Sequence, residues 1–282
     1  MSIQQMIEFT GILRFICLLS MAYLIYSVFL HQQYALVTEE FADWDSETDL
    51  VIVTAHFKEN LDWLTHSPYP VVVCSKHSAE SQSPSLTPEL KCMVQNKGRE
   101  TSSLLKFIIE FYEDLPKRIA FIHGHQYAWH QRFDILSAIG CAKKDKPYVS
   151  LNTIFMNDRN MQNQVYNEIG DMWETHFEPY LKIKFPERVF HDCCAQFIVS
   201  RAAIRRIPKA GYEHWLELVM NSPYDVVISV QFEYLWHVIF GEDPVLDLNA
   251  EAYVAEMFDC MPKFIPREIA EGSSGPTKFV RD

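Results

Sequence analysis

Hydrophobic positions along this chain fall into three patterns, and each predicts a different element. The first is an unbroken apolar run: from Phe15 to Leu30 every residue is apolar, aromatic or a small hydroxyl one, and no formal charge lies between Arg14 and Glu39. With Gly11, Ile12 and Leu13 added, and Arg14 snorkelling its charge outward, the run reaches about 20 residues, enough to cross a ~30 Å hydrocarbon core. It predicts one transmembrane helix. The second pattern is the short β-branched run. Asp49 to Ala55, Pro70 to Cys74, Arg118 to Ile122, Gln196 to Ser200 and Asp225 to Val230 read as buried strands. The third is helical periodicity, clearest in Arg99 to Asp114. There Leu104, Leu105, Phe107, Ile108, Phe111 and Tyr112 recur at three- and four-residue spacing until Leu115-Pro116 stops them. Helices are also expected over Asn160 to Thr175, Ala202 to Ile207, Ala210 to Met220 and Phe232 to Phe240. Glu59 to Thr65 reads as a helical turn and Ser75 to Pro88 as a loop.

Strands alternating with helices imply an α/β layer architecture with a mostly parallel sheet flanked by helices. Ligands of such sheets bind beyond the carboxyl ends of the strands. Polar groups gather at those ends: His56, Lys58 and Glu59 after the first strand, Ser75 and Lys76 after the second, His123 and His125 after the third.

Charge orients the membrane segment. Arg14 precedes it, while Glu39, Glu40, Asp43 and Asp45 follow. The positive-inside rule puts a short amino end in the cytosol and the bulk of the chain outside or in a lumen. A cleaved signal peptide would need small residues soon after the run, and His31-Gln32-Gln33-Tyr34 offers none. The expected order is a cytosolic tail (1–10), a signal anchor (11–31), a stem (32–48), a folded domain (49–262) and a flexible tail (263–282). That is the plan of a single-pass type II membrane protein.

Composition narrows the function classes. Lysine and arginine number 25 against 37 aspartates and glutamates, a formal charge of -12, which opposes nucleic-acid binding. Nine glycines leave little room for a Gly-rich phosphate loop. Of seven cysteines, Cys17 lies in the apolar run, and the other six could form up to three disulfides in an oxidising lumen, with the pairing open.

Three strings then carry a family resemblance. The first runs from Val51 through His56-Phe57-Lys58-Glu59 to Leu64. The second joins Asn96-Lys97-Gly98-Arg99-Glu100, Tyr112-Glu113-Asp114-Leu115-Pro116 and Phe121-Ile122-His123-Gly124-His125. The third joins Cys193 to Arg201 with Phe232 to Gly241. Their order and spacing resemble the domain-of-unknown-function 3431 family, whose sequences look like remote relatives of GT-A glycosyltransferases. The resemblance implies a GT-A-like, Rossmann-related sheet, with a nucleotide-sugar donor across its first half and a glycan or glycoprotein acceptor over its second. A single anchor with a lumenal domain, in the Golgi or endoplasmic reticulum, fits the same reading.

The candidate chemistry follows from that implication. GT-A enzymes commonly hold Mg²⁺ or Mn²⁺ with an Asp-x-Asp pair after a central strand. The Asp-x-Asp string here, Asp43-Trp44-Asp45, precedes the first strand, and Asp243 and Asp247 are four apart. His123 and His125 stand roughly at the expected place and are the candidate metal ligands. A metal-independent site using Lys58, Lys97 or Arg99 against the diphosphate is equally open. Donor contacts are expected from His56, Lys58, Glu59, Lys76, Lys97 and Arg99. Glu233 is the candidate base toward the acceptor hydroxyl, with His237 one helical turn on, and Asp192 the candidate for orienting that hydroxyl. Trp63, Trp129, Trp215 and Trp236 are candidates for stacking on sugars. Two other functions compete. One is a metal-dependent hydrolase built on His123, His125, His130, His191 and Asp192; the other is a non-catalytic glycan- or partner-binding protein on the same fold.

Overall fold

The computed structural model describes residues 44–77, 92–128, 130–152, 159–190, 194–246, 248, 250–266 and 269. Among these no helix is long and apolar enough to cross a membrane. The cytosolic tail, the anchor and most of the stem expected from sequence lie outside the described residues, as do His191, Asp192, Cys193, Trp129 and Asp247.

The first half of the domain runs β1 (Leu50–His56), β2 (Val71–His77), β3 (Met93–Gln95), α1 (Arg99–Glu110), β4 (Arg118–His123), α2 (Ile135–Cys141) and β5 (Tyr148–Ser150). The second half runs α3 (Arg159–His176), α4 (Glu178–Leu181), β6 (Phe197–Ser200), α5 (Arg201–Arg205), α6 (Lys209–Asn221), α7 (Asp225–Ile239) and α8 (Ala250–Met257). The strands form one sheet in the order β3-β2-β1-β4-β6-β5. β1 lies parallel to both β2 and β4, and β2 parallel to β3. β6 runs antiparallel to β4, and β5 antiparallel to β6. The sheet is therefore parallel on one side of β4 and antiparallel on the other, a division that periodicity alone does not foretell.

Alternation along the strands fills two cores. Val51, Val53, Ile119, Phe121, Phe197 and Val199 point into the larger one, beneath α1, α6 and α7. Their neighbours Leu50, Ile52, Ala120, Ile122, Ile198 and Val149 are also buried but lie outside that cluster, on the opposite face. Burial on both faces explains why the strands read as continuous apolar runs. Phe197 is the hub of the larger core, with ring centroids of Phe121, Tyr148, Phe240 and Trp236 at 5.6, 5.1, 5.5 and 5.8 Å.

Several expectations need correction. Asp225 to Val230 is not a strand, and the helix expected from Phe232 starts earlier: α7 runs unbroken from Asp225 to Ile239. This stretch is apolar nearly all round because it is packed by α1, α3 and α6, and such a buried helix loses the periodicity that separates it from a strand. β2 continues through Ser75, Lys76 and His77, residues read as loop. The helical turn near Glu59 reduces to a 3₁₀ turn at Asp62–Leu64. Part of the stem belongs to the domain, since Trp44 packs its ring 5.2 Å from that of Phe111 and 6.0 Å from that of Phe107. The beginning of the expected tail is docked as well: Asp134 N–H donates to the Lys263 carbonyl, and Ile265 N–H to that of Arg132.

Two disulfides hold peripheral segments. Cys74–Cys92 ties β2 to β3, and Cys141–Cys260 ties the end of α2 to the chain beyond α8. Cys194 is also disulfide-bonded. It has φ 79° and stands in a bend just before β6.

Candidate functional site

In the order β3-β2-β1-β4-β6-β5, the chain leaves β1 toward β2 on one side and leaves β4 toward β5 and β6 on the other. The crevice beyond the carboxyl ends of β1 and β4 is the position where open α/β sheets take ligands. β1 ends at His56 and leads to Glu59; β4 ends at His123 and leads to His125. Glycine lets these two ends pass closely. A Cβ on Gly124 would lie 2.8 Å from the Ala55 carbonyl oxygen and 3.2 Å from Glu59 Cβ. The Trp63 indole N–H donates to the Gly124 carbonyl at 3.0 Å and fixes this crossing.

Three imidazoles meet here. One ring nitrogen from each of His123, His125 and His130 lies within 4.8 Å of the others. His123 Nδ1 is 3.3 Å from His125 Nε2, and His130 Nδ1 is 2.8 Å from Asn152 Oδ1. The antiparallel strands supply the amides behind them. Gln196, just before β6, accepts the His123 backbone N–H. Asn152, just after β5, donates its Nδ2 to the Cys194 carbonyl. Burial, and then neighbouring positive charge, hold His123 and His130 down to about 3, so both rings are neutral at physiological pH. His125 is lowered by burial against the partial counter-pull of Glu59 and Glu100.

Carboxylates of two kinds flank the rings. Glu59 is half-buried, and burial alone would raise its pKa. Its Oε2 nevertheless accepts the Phe57 and Lys58 backbone N–H groups at 2.7 and 3.1 Å, and the net shift is downward. It is ionised. Glu233 behaves oppositely: burial raises it, the Glu100 charge and a hydrogen bond with Glu100 raise it further, and Arg99 opposes them. Glu233 is thereby held toward its protonated form.

Arg99 opens α1, and its side chain is exposed. Both Gly98 and Arg99 have left-handed backbone, φ 69° and 42°. Gly98 is required there, because a Cβ would overlap Val219 of α6 at 2.1 Å. Its N–H donates to Asp225, which anchors the turn to α7.

The other sequence candidates separate into distinct fates. Lys76 cannot reach a donor phosphate while it holds this turn: its three N–H donors are taken by the Lys97 and Arg99 carbonyls and Ser102 Oγ. Burial lowers it to about 8. Lys97 donates to the Met220 carbonyl at the end of α6. Lys58 is exposed and lies 4.8 Å over its neighbour Phe57. His237 is 1% exposed, with Nε2 on the Pro244 carbonyl, and belongs to the core. Glu233 sits mid-helix, so it neither starts a helix nor stands at a strand-to-helix junction. Trp215 and Trp236 are wholly buried and are packing residues; Trp63 alone of the described tryptophan candidates borders the crevice. The structure adds Glu100, His130, Asn152 and Gln196. His130 entered the sequence reading only through its ligand chemistry, and the two amides carry no spacing signal at all.

The fold and the crevice define a mixed α/β protein whose ionisable groups converge at the switch point of a half-parallel sheet. The chain matches the family described as Protein of unknown function (DUF3431) over residues 51–139 and 134–256. It belongs to that family, and the matched residues span both site-bearing strand ends. No curated protein and no solved structure matches it.

Proposed function

We propose that this chain is a membrane-anchored glycosyltransferase with a GT-A-like domain, moving a sugar from a nucleotide-sugar donor to a hydroxyl of a glycan or glycoprotein. One observation carries the reading: a half-buried carboxyl pair, an ionised carboxylate and an arginine at a helix amino end converge on the sheet's switch point. Each suits one part of the reaction. Arg99 and the positive end of the α1 dipole attract the donor diphosphate, with His56 and Lys58 at the neighbouring strand end. The Glu233–Glu100 pair supplies the base.

In the transfer, the acceptor oxygen forms a bond to the anomeric carbon and its proton passes to the pair. The bond from that carbon to the phosphate oxygen breaks, and the nucleotide leaves with the electron pair. Trp63 is placed to stack on a sugar ring. The disulfides Cys74–Cys92 and Cys141–Cys260 suit a lumenal location, and with the apolar run at 11–31 they favour a type II Golgi or endoplasmic-reticulum protein. Division of the sheet at β4 suits a donor over the parallel half and an acceptor over the antiparallel half.

The hydrolase reading draws on the three-histidine cluster, a donor set that also serves catalytic zinc. A turnover assay separates the two. The full-length protein is incubated with UDP-, GDP- and CMP-sugars and glycan acceptors, and nucleotide release and acceptor mass are followed. Acceptor-dependent release with one donor is the expected result. Release that ignores the acceptor, or metal-dependent hydrolysis with no nucleotide bound, would replace the transferase with a hydrolase.

A further inference from the structure

We propose that His123, His125 and His130 form a binding site for a late first-row divalent ion of the zinc class, held through three imidazole nitrogens. The inference goes beyond the transferase reading, and its test needs no nucleotide.

Geometry comes first. His123 Nδ1 and His125 Nε2 are 3.3 Å apart. Ligand nitrogens of a tetrahedral ion with ~2.0–2.1 Å bonds stand about 3.3–3.4 Å from one another. The third nitrogen is within 4.8 Å and needs about 1.5 Å of side-chain movement to complete that triangle.

Hydrogen bonding does not close the cluster. If His123 Nδ1 donates to His125, the far nitrogen of His123 is a buried lone pair; if His125 donates, it is a buried N–H. In both tautomers His123 Nε2 lacks a partner. With an ion on His123 Nδ1 this nitrogen is the N–H, a buried donor that calls for water beside the site; the case for the ion is the convergence of the three rings.

The outer shell is arranged for ligation. Asn152 points its NH₂ at the Cys194 and Gln196 carbonyls, 3.0 and 3.4 Å away. Its oxygen is therefore the atom facing His130 Nδ1, which must carry the proton. The lone pair of His130 then resides on Nε2, an orientation that second-shell acceptors commonly impose on metal-ligating histidines.

Donor type sets the metal. Three imidazoles favour Zn²⁺, Co²⁺ or Ni²⁺ over Mg²⁺, which prefers oxygen. Of the Mg²⁺ or Mn²⁺ that the glycosyltransferase resemblance implies, Mg²⁺ is thus the wrong hardness for this site.

The full-length chain, stripped with a chelator, is titrated with Co²⁺ and followed by its visible absorption. The expected result is one Co²⁺ per chain, displaced by Zn²⁺ and indifferent to millimolar Mg²⁺. Asn152→Ala should weaken binding about 10–100-fold, and His130→Gln should abolish the band. Near-ultraviolet circular dichroism checks the fold of each variant. If His130→Gln does not fold, His125→Gln, at the less buried ring, takes its place. A folded wild type with no band, or folded histidine variants that bind like wild type, would overturn the site.

Discussion

Where β1 and β4 end, the side chains are ionisable: His56, Glu59, His123 and His125. Where β5 ends and β6 begins, at the same edge of the sheet, they are the amides of Asn152 and Gln196. The contrast follows from strand direction. Parallel connections deliver successive carboxyl ends to one edge, while β6 runs the other way and brings its amino end there. The parallel half thus presents reactive groups, and the antiparallel half fixes the backbone and ring orientation behind them. A site at such an edge is a joint product of both halves, although only one carries its charge.

That contrast can be broken from either side. The largest effect should come from the core beneath the antiparallel half. Phe197→Ala removes the aromatic hub and should cost about 3–5 kcal/mol in urea unfolding; a loss below about 1 kcal/mol would show that the two halves are not stabilised through it. Next is Glu233→Gln, which should reduce turnover by about 10²-fold or more with the fold intact. Near-normal turnover in that variant would remove the carboxyl pair from the chemistry.

The same variant sharpens the electrostatics. The folded-state pKa of Glu233 is raised above its unfolded value. Its contribution to stability is therefore present in acid and lost as pH rises from the ordinary carboxyl value through the folded one. Glu233→Gln should lose less stability than wild type over that rise, measured by urea midpoints. His123 and His130 act with the opposite sign. Their folded values of about 3 lie below the unfolded value of about 6.5, so stability falls as pH drops between those limits and is complete above the upper one. The smallest effect belongs to the surface: Lys106→Ala breaks the exposed pair with Glu110 and should change stability by no more than about 0.5 kcal/mol.

Legibility in the sequence followed the same division. β1, β2, β4 and α1 were readable because buried parallel strands are continuous apolar runs and α1 keeps a one-sided stripe. The three-residue strands β3 and β5 were too short to show a period, and α7 lost its period through burial on several sides. Of the site, His56, Glu59, His123 and His125 were legible from chemical type and strand-end position, Arg99 from its place at a helix start, and Glu233 from chemical type. Glu100 stood beside Arg99 in the sequence with no role assigned to it; its pairing with Glu233 depends on α7 packing against α1, a contact between residues far apart in the chain. Lys76 and Lys97 looked like phosphate ligands from their charge. Only the three-dimensional turn at Gly98 shows that backbone carbonyls occupy them.

The central claim is that the β1–β4 edge binds a nucleotide-sugar through Arg99. Its most direct measurement is the thermal unfolding of the full-length protein with UDP, GDP, CMP and their sugars, in wild type and in Arg99→Ala. At 100 times its Kd, one nucleotide should add about 2.7 kcal/mol of stability to wild type, and Arg99→Ala should lose most of that gain. No stabilisation by any nucleotide, or an equal shift in both proteins, would contradict the account.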